Sequence, residues 1–102
     1  MKTGGMVKKM ERVARYYGIE SQLRQLAEES AELAQASLKA IREDYSEESL
    51  AHIIEELADV QVMIIQIECL TDINYDSILK IMIEKTDRQI ERIKAEGGKL
   101  PI

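Results

Sequence analysis

The chain has 102 residues, too few for a second hydrophobic core, so it reads as a single domain. Asp plus Glu number 19 against 14 for Lys plus Arg, a formal charge of −5, which argues against a nucleic-acid binder with its basic stripe. One cysteine excludes an intrachain disulfide, and no apolar run reaches the roughly 18 residues of a membrane span.

The segment "MKTGGMVKK" is short and polar for a signal peptide, so a cytoplasmic location is expected. Residues 1–5 are expected to be disordered, with the folded domain over 6–96 and a flexible tail over 97–102. A first, short helix is expected from about Val7 to Tyr17, stopping at Gly18. A second runs from about Glu20 to Arg42 and ends in the polar turn "EDYS". Ser46 is placed to cap a third helix, with Glu47 and Glu48 in its first turn, and this helix continues to about Leu70. "TDIN" breaks the chain, and Asn74 caps a fourth helix that ends before Gly97-Gly98. No strand pattern competes.

The expected fold is therefore all-α: an antiparallel bundle of three long helices plus a short N-terminal one. Within the third helix, "VQVMIIQIECL" (60–70) is apolar in nearly every direction, and a helix apolar all round is buried all round. So small a chain cannot cover it alone, so the bundle is expected to be completed by oligomerisation. Cys69, in this stretch, is expected to be a buried structural thiol in a reducing compartment.

The acids sit where a surface helix does not need them. In "LAEESAELA" (26–34), Glu28, Glu29 and Glu32 are threaded between apolar residues. At about 100° per residue Glu29 and Glu32 lie about 60° apart, next to Leu26 and Leu33. Glu56 and Asp59 repeat this spacing in a stripe that begins at His52 and continues as Met63, Ile67 and Leu70, so these acids are expected to face inward. Both pairs lie about the same number of residues from the intervening turn. An antiparallel hairpin then brings Glu29, Glu32, Glu56 and Asp59 to one level of the interface. The same reckoning across "TDIN" brings the stripe Lys85, Arg88 and Arg92 of the fourth helix to that level. Like charges in a low-dielectric interface require protonation or a counter-ion. Hard divalent cations take oxygen ligands, Mg²⁺ commonly meets substrate phosphates, and Lys and Arg suit the remaining phosphate oxygens. A metal site is the reading that accounts for acids bordering a core.

"EESAE" (28–32) followed, after residues 33–55, by "ELAD" (56–59) resembles the EExxE…ExxD signature of the MazG-like all-α nucleoside triphosphate pyrophosphohydrolases. "EELADVQVMIIQI" and "KTDRQIER" are similar to the third- and fourth-helix segments of that family, and the resemblance spans about Ile19 to Glu96. It implies Mg²⁺-dependent hydrolysis of a nucleoside triphosphate to monophosphate and pyrophosphate in a homodimer or homotetramer, with Mn²⁺ as a substitute metal. By position it implies Glu29, Glu32, Glu56 and Asp59 as metal ligands, and Lys85 and Arg88 as the K-x-x-R element contacting phosphates. The next position, Asn or Arg in many relatives, is Gln89 here.

Around this frame, Glu28 is a candidate to orient or deprotonate the attacking water, or else an ion-pair partner of Lys or Arg. His52 is a candidate phosphate or outer-shell contact, Gln22 a candidate reader of base or sugar, and Tyr16 or Tyr17 a stacking surface. Each has a structural alternative as a packing residue. Phosphoribosyl-ATP pyrophosphatase shares the acid motif and is a second enzyme reading, and a non-catalytic helical interaction module is a third. A carboxylate-bridged di-iron bundle is disfavoured, because it needs two Glu-x-x-His motifs and the chain has 1 His.

Overall fold

Four helices follow one another in the computed structural model, which describes residues 4–101: α1 Gly4–Tyr17, α2 Ile19–Arg42, α3 Glu47–Leu70 and α4 Tyr75–Ala95. No strand occurs among the described residues. Helix α1 begins at Gly4, ahead of the expected Val7, so Gly4 and Gly5 belong to the helix rather than to a disordered start. Once nucleated, a helix gains one hydrogen bond for each residue added, which offsets the low propensity of the two glycines. Residues 1–3 and 102, the outer parts of the two expected terminal segments, lie outside the described residues.

One residue joins α1 to α2. Gly18, at φ 86°, donates its N–H to the Ala14 carbonyl at 2.8 Å, and its own carbonyl accepts the Gln22 N–H at 3.0 Å. A Cβ would be strained at that φ, so glycine permits the immediate restart. Helix α2 ends with Asp44 and Tyr45 both left-handed, at φ 53° and 57°, and the Tyr45 N–H returns to the Ala40 carbonyl at 2.8 Å. Ser46 then caps α3 as the sequence predicts. Its Oγ accepts the Ser49 N–H at 3.2 Å, and the Ser49 hydroxyl donates to the Ser46 carbonyl at 2.9 Å.

Helices α2 and α3 form an antiparallel hairpin, and α1 packs on both, chiefly on α3. The buried apolar residues are Met10, Ala14, Ala36, Ala40, Met63 and Ile67. Near the turn the interface is built from small side chains, Ala36, Ala40 and Ser49, which let the two backbones approach closely. The apolar stretch of α3 divides between two faces. Met63 and Ile67 point into the hairpin, whereas Ile64 is exposed on the same side of the helix as Leu50, Ile54 and Leu57 of the preceding turns. Cys69 is half-buried; burial and the charges of Glu11 and Glu68 push its thiol pKa up, against the pull of Arg15.

The chain divides into two compact units between Asp72 and Ile73, so α4 is a unit of its own. Asn74 caps it, its Oδ1 accepting the Ser77 N–H at 2.9 Å. At the other end Gly97 takes φ 80° and the Gly98 N–H bonds to the Ile93 carbonyl at 2.9 Å. Within this unit Ile81, Met82 and Ile83 are exposed. No helix of the described residues is long and apolar enough to cross a membrane.

Candidate metal centre

Three layers succeed one another along the α2–α3 interface. The layer next to the turn is the small-residue contact of Ala36, Ala40 and Ser49. The middle layer is acidic: Glu29 and Glu32 from α2 meet Glu56 from α3, each offering a carboxylate oxygen within 4.8 Å of the other two. Beyond it, Gln22 and Gln25 of α2 face Met63 and Gln66 of α3. An i,i+3 pair on one helix and a level-matched acid on the next is the convergence expected from spacing alone.

Within the acid layer each of the two covered carboxylates is held by one oxygen. Glu29 Oε1 accepts from Gln25 Nε2 at 2.7 Å, and Glu56 Oε1 lies 3.3 Å from His52 Nε2. The second oxygen of each, Glu29 Oε2 and Glu56 Oε2, is buried with no hydrogen-bond partner. A buried carboxylate oxygen without a donor is unfavourable, more so beside other acids. The Gln25 hydrogen bond pulls the Glu29 carboxyl down. Burial and the charges of Asp59 and Glu32 outweigh it, leaving Glu29 above the usual carboxylate range. Three converging carboxylates, two of which carry a buried oxygen without a partner, suit a hard divalent cation that retains several waters.

The arrangement is more open than inward-facing acids imply. Glu56 is buried and Glu29 half-buried, but Glu32 and Asp59 are exposed. Asp59 is close enough to act on Glu29 electrostatically, yet it lies outside the group of three that share the 4.8 Å spacing.

Of the remaining candidates, Glu28 is exposed and outside the cluster. His52, with 44% of its side chain exposed, also lines a pocket of about 410 Å³ with Lys39 and Arg42 near the turn. Gln22 is buried, and its Oε1 has no partner. Tyr16 and Tyr17 are exposed and meet edge to face, with ring centroids 5.0 Å apart. Lys85 and Arg88 stand on α4, where they border a shallow pocket of about 200 Å³ with Gln89 and Arg92. Sequence reasoning missed Gln25 and Gln66. Gln25 is legible in retrospect as a Gln–Glu pair at i,i+4 on the core-facing side, and Gln66 as a polar interruption of an apolar run.

No protein-family model matches the chain, and no curated protein or solved structure matches it. The family resemblance accordingly rests on the motif residues themselves.

The raised Glu29 carboxyl makes a signed prediction. Its folded form holds the proton more tightly than its unfolded form, so stability is lost as pH rises from the ordinary carboxylate value through the raised one. In chelator at neutral pH, Glu29→Gln is expected to melt at or above wild type. The margin should close as the pH is lowered through that window. Thermal melts of both proteins from mildly acidic to neutral pH check this; a variant melting well below wild type at neutral pH would show that Glu29 is a structural acid.

Proposed function

We propose that this protein is a Mg²⁺-dependent nucleoside triphosphate pyrophosphohydrolase, cleaving between the α and β phosphates to give a nucleoside monophosphate and pyrophosphate. The observation that supports it most is the meeting of Glu29, Glu32 and Glu56 with two buried carboxylate oxygens left unpartnered. Glu29, Glu32 and Glu56 would hold the metal, with Asp59 completing the set named by the resemblance. A Mg²⁺ ion held there would supply Lewis-acid polarisation of a phosphoryl oxygen and would lower the pKa of a water. Gln25 donates to one oxygen of Glu29, and His52 stands 3.3 Å from one oxygen of Glu56, so both would help to orient these ligands. Glu28, exposed and adjacent to Glu29 in the chain, takes the proton of the attacking water as the phosphoanhydride P–O bond breaks and pyrophosphate leaves. The phosphate contacts of Lys85 and Arg88 belong to this proposal on the strength of the sequence resemblance.

The test is product analysis on a panel of ribo-, deoxyribo- and modified nucleoside triphosphates, with phosphoribosyl-ATP included. Monophosphate and pyrophosphate are the expected first products; diphosphate and orthophosphate would refute the reaction. Glu56→Gln keeps the shape of the side chain and removes its charge, and should lower activity by about 100-fold or more. Excess Mg²⁺ should stabilise wild type by about 2.7 kcal/mol at one hundred times the dissociation constant, and the variant much less.

Self-association is the second part of the proposal. The exposed α3 residues Leu50, Ile54, Leu57 and Ile64 share one face, interrupted by Gln61, and a second copy would cover it. Ile54, 67% exposed, makes little contact within its own chain, so Ile54→Arg should separate the copies without unfolding the hairpin. Light scattering is expected to give a dimer or tetramer for wild type and a smaller species for the variant. A fully active wild-type monomer would contradict this.

A further inference from the structure

On the turn side of the acid layer, Lys39 and Arg42 of α2 and His52 of α3 converge on a pocket of about 410 Å³. Lys39 follows Glu32 by about two turns, roughly 10 Å along the axis, and His52 precedes Glu56 by about one turn. The pocket is therefore a neighbour of the acid cluster and not a part of it. Its charge is opposite. In a chain of net charge −5, this concave surface gathers a lysine and an arginine from one helix with an imidazole from the facing one.

Cations in the last turn of a helix commonly answer its free carbonyls. That role is already filled here. The carbonyls of Lys39, Ala40 and Ile41 accept the N–H groups of Glu43, Tyr45 and Asp44 at 2.9, 2.8 and 3.2 Å. Ion pairs do not use up the two side chains either. Arg15 and Arg24 each hold a carboxylate of their own helix, at 2.9 and 3.2 Å. Lys39 reaches Glu43 only at 4.0 Å, and Arg42 has no ion-pair partner among the described residues. The forked guanidinium of Arg42 matches two oxygens of one phosphoryl group, and Lys39 adds a point charge. His52 joins the pocket to the acid layer, since its ring lines the one while Nε2 stands 3.3 Å from Glu56 Oε1 of the other.

We infer that this pocket is a binding site for a phosphate-class anion: free pyrophosphate or orthophosphate, or the outer phosphates of a nucleotide. Recognition by Lys39, Arg42 and His52 is independent of the hydrolase reading; only the nucleotide as source rests on it.

The chain has 1 His, so the ring signals of His52 are an unambiguous NMR reporter. Inorganic pyrophosphate and orthophosphate are titrated into the full chain in chelator, at fixed pH and ionic strength. A second series adds an uncleavable α,β-methylene nucleoside triphosphate with Mg²⁺, read against Mg²⁺ alone. Saturable movement of the His52 ring by millimolar inorganic anion would identify a free-anion site. Movement by the analogue only would assign the pocket to the outer phosphates of a bound nucleotide; either result supports the inference. Arg42→Gln, at an exposed side chain, should weaken the observed binding about tenfold, the effect of losing a charge-assisted hydrogen bond. Lys39→Gln should act in the same direction and serves if Arg42→Gln does not fold. Arg24→Gln, which removes an exposed cation elsewhere on α2, should leave binding unchanged. No movement in either series, or equal weakening by Arg24→Gln and Arg42→Gln, would overturn the site. Pyrophosphate release from triphosphates without any His52 response would overturn the site and leave the hydrolase reading standing. A response to inorganic anion in a chain that cleaves no triphosphate would support the site and refute the hydrolase.

Discussion

Acidic groups brought together at a helix–helix contact must be compensated, and the α2–α3 hairpin compensates only half of each covered carboxylate. Gln25 donates to one oxygen of Glu29, and His52 lies 3.3 Å from one oxygen of Glu56; the other oxygen of each is buried without a partner. Full pairing with Lys or Arg would make this an ordinary ion-pair network. Full exposure would make it a solvated face. The half-satisfied state is costly for the folded protein on its own, and that cost is what a divalent cation would relieve on binding.

The rest of the hairpin positions that layer. Ala36, Ala40 and Ser49 allow close approach near the turn, and the Ser46 cap fixes where α3 begins, hence which of its residues reach the level of Glu29. Gly18 restarts the chain as α2 with no spacer, which places Tyr17 beside Gln22 at the far end of the groove. The order along the groove is small residues, then acids, then amides.

Much of this was legible in the sequence because helical periodicity is a strong local signal. Gly18, Ser46 and Asn74 fall at the predicted boundaries, and the three-residue spacing of Glu29/Glu32 with the level of Glu56 predicts their meeting. What the periodicity could not supply was the depth of each acid. Glu32 and Asp59 share a helical face with better-covered partners yet are exposed, because three-residue spacing fixes a direction around the helix and not how deeply a side chain is covered. Gln25 and Gln66 were passed over for a related reason. An uncharged amide gives no electrostatic signal until a structure shows what it touches. The start of α1 at Gly4 shows the familiar uncertainty of helix ends, since propagation from an established helix can override two glycines.

The most direct test of the account is a calorimetric titration of Mg²⁺ into the substrate-free protein. Saturable binding is predicted, with affinity that falls as the pH is lowered into the range where the cluster carboxylates take up protons. Glu56→Gln should lose most of the binding heat. The absence of saturable divalent binding by wild type, or equal binding by the variant, would contradict it and leave the acid layer as a device for helix pairing.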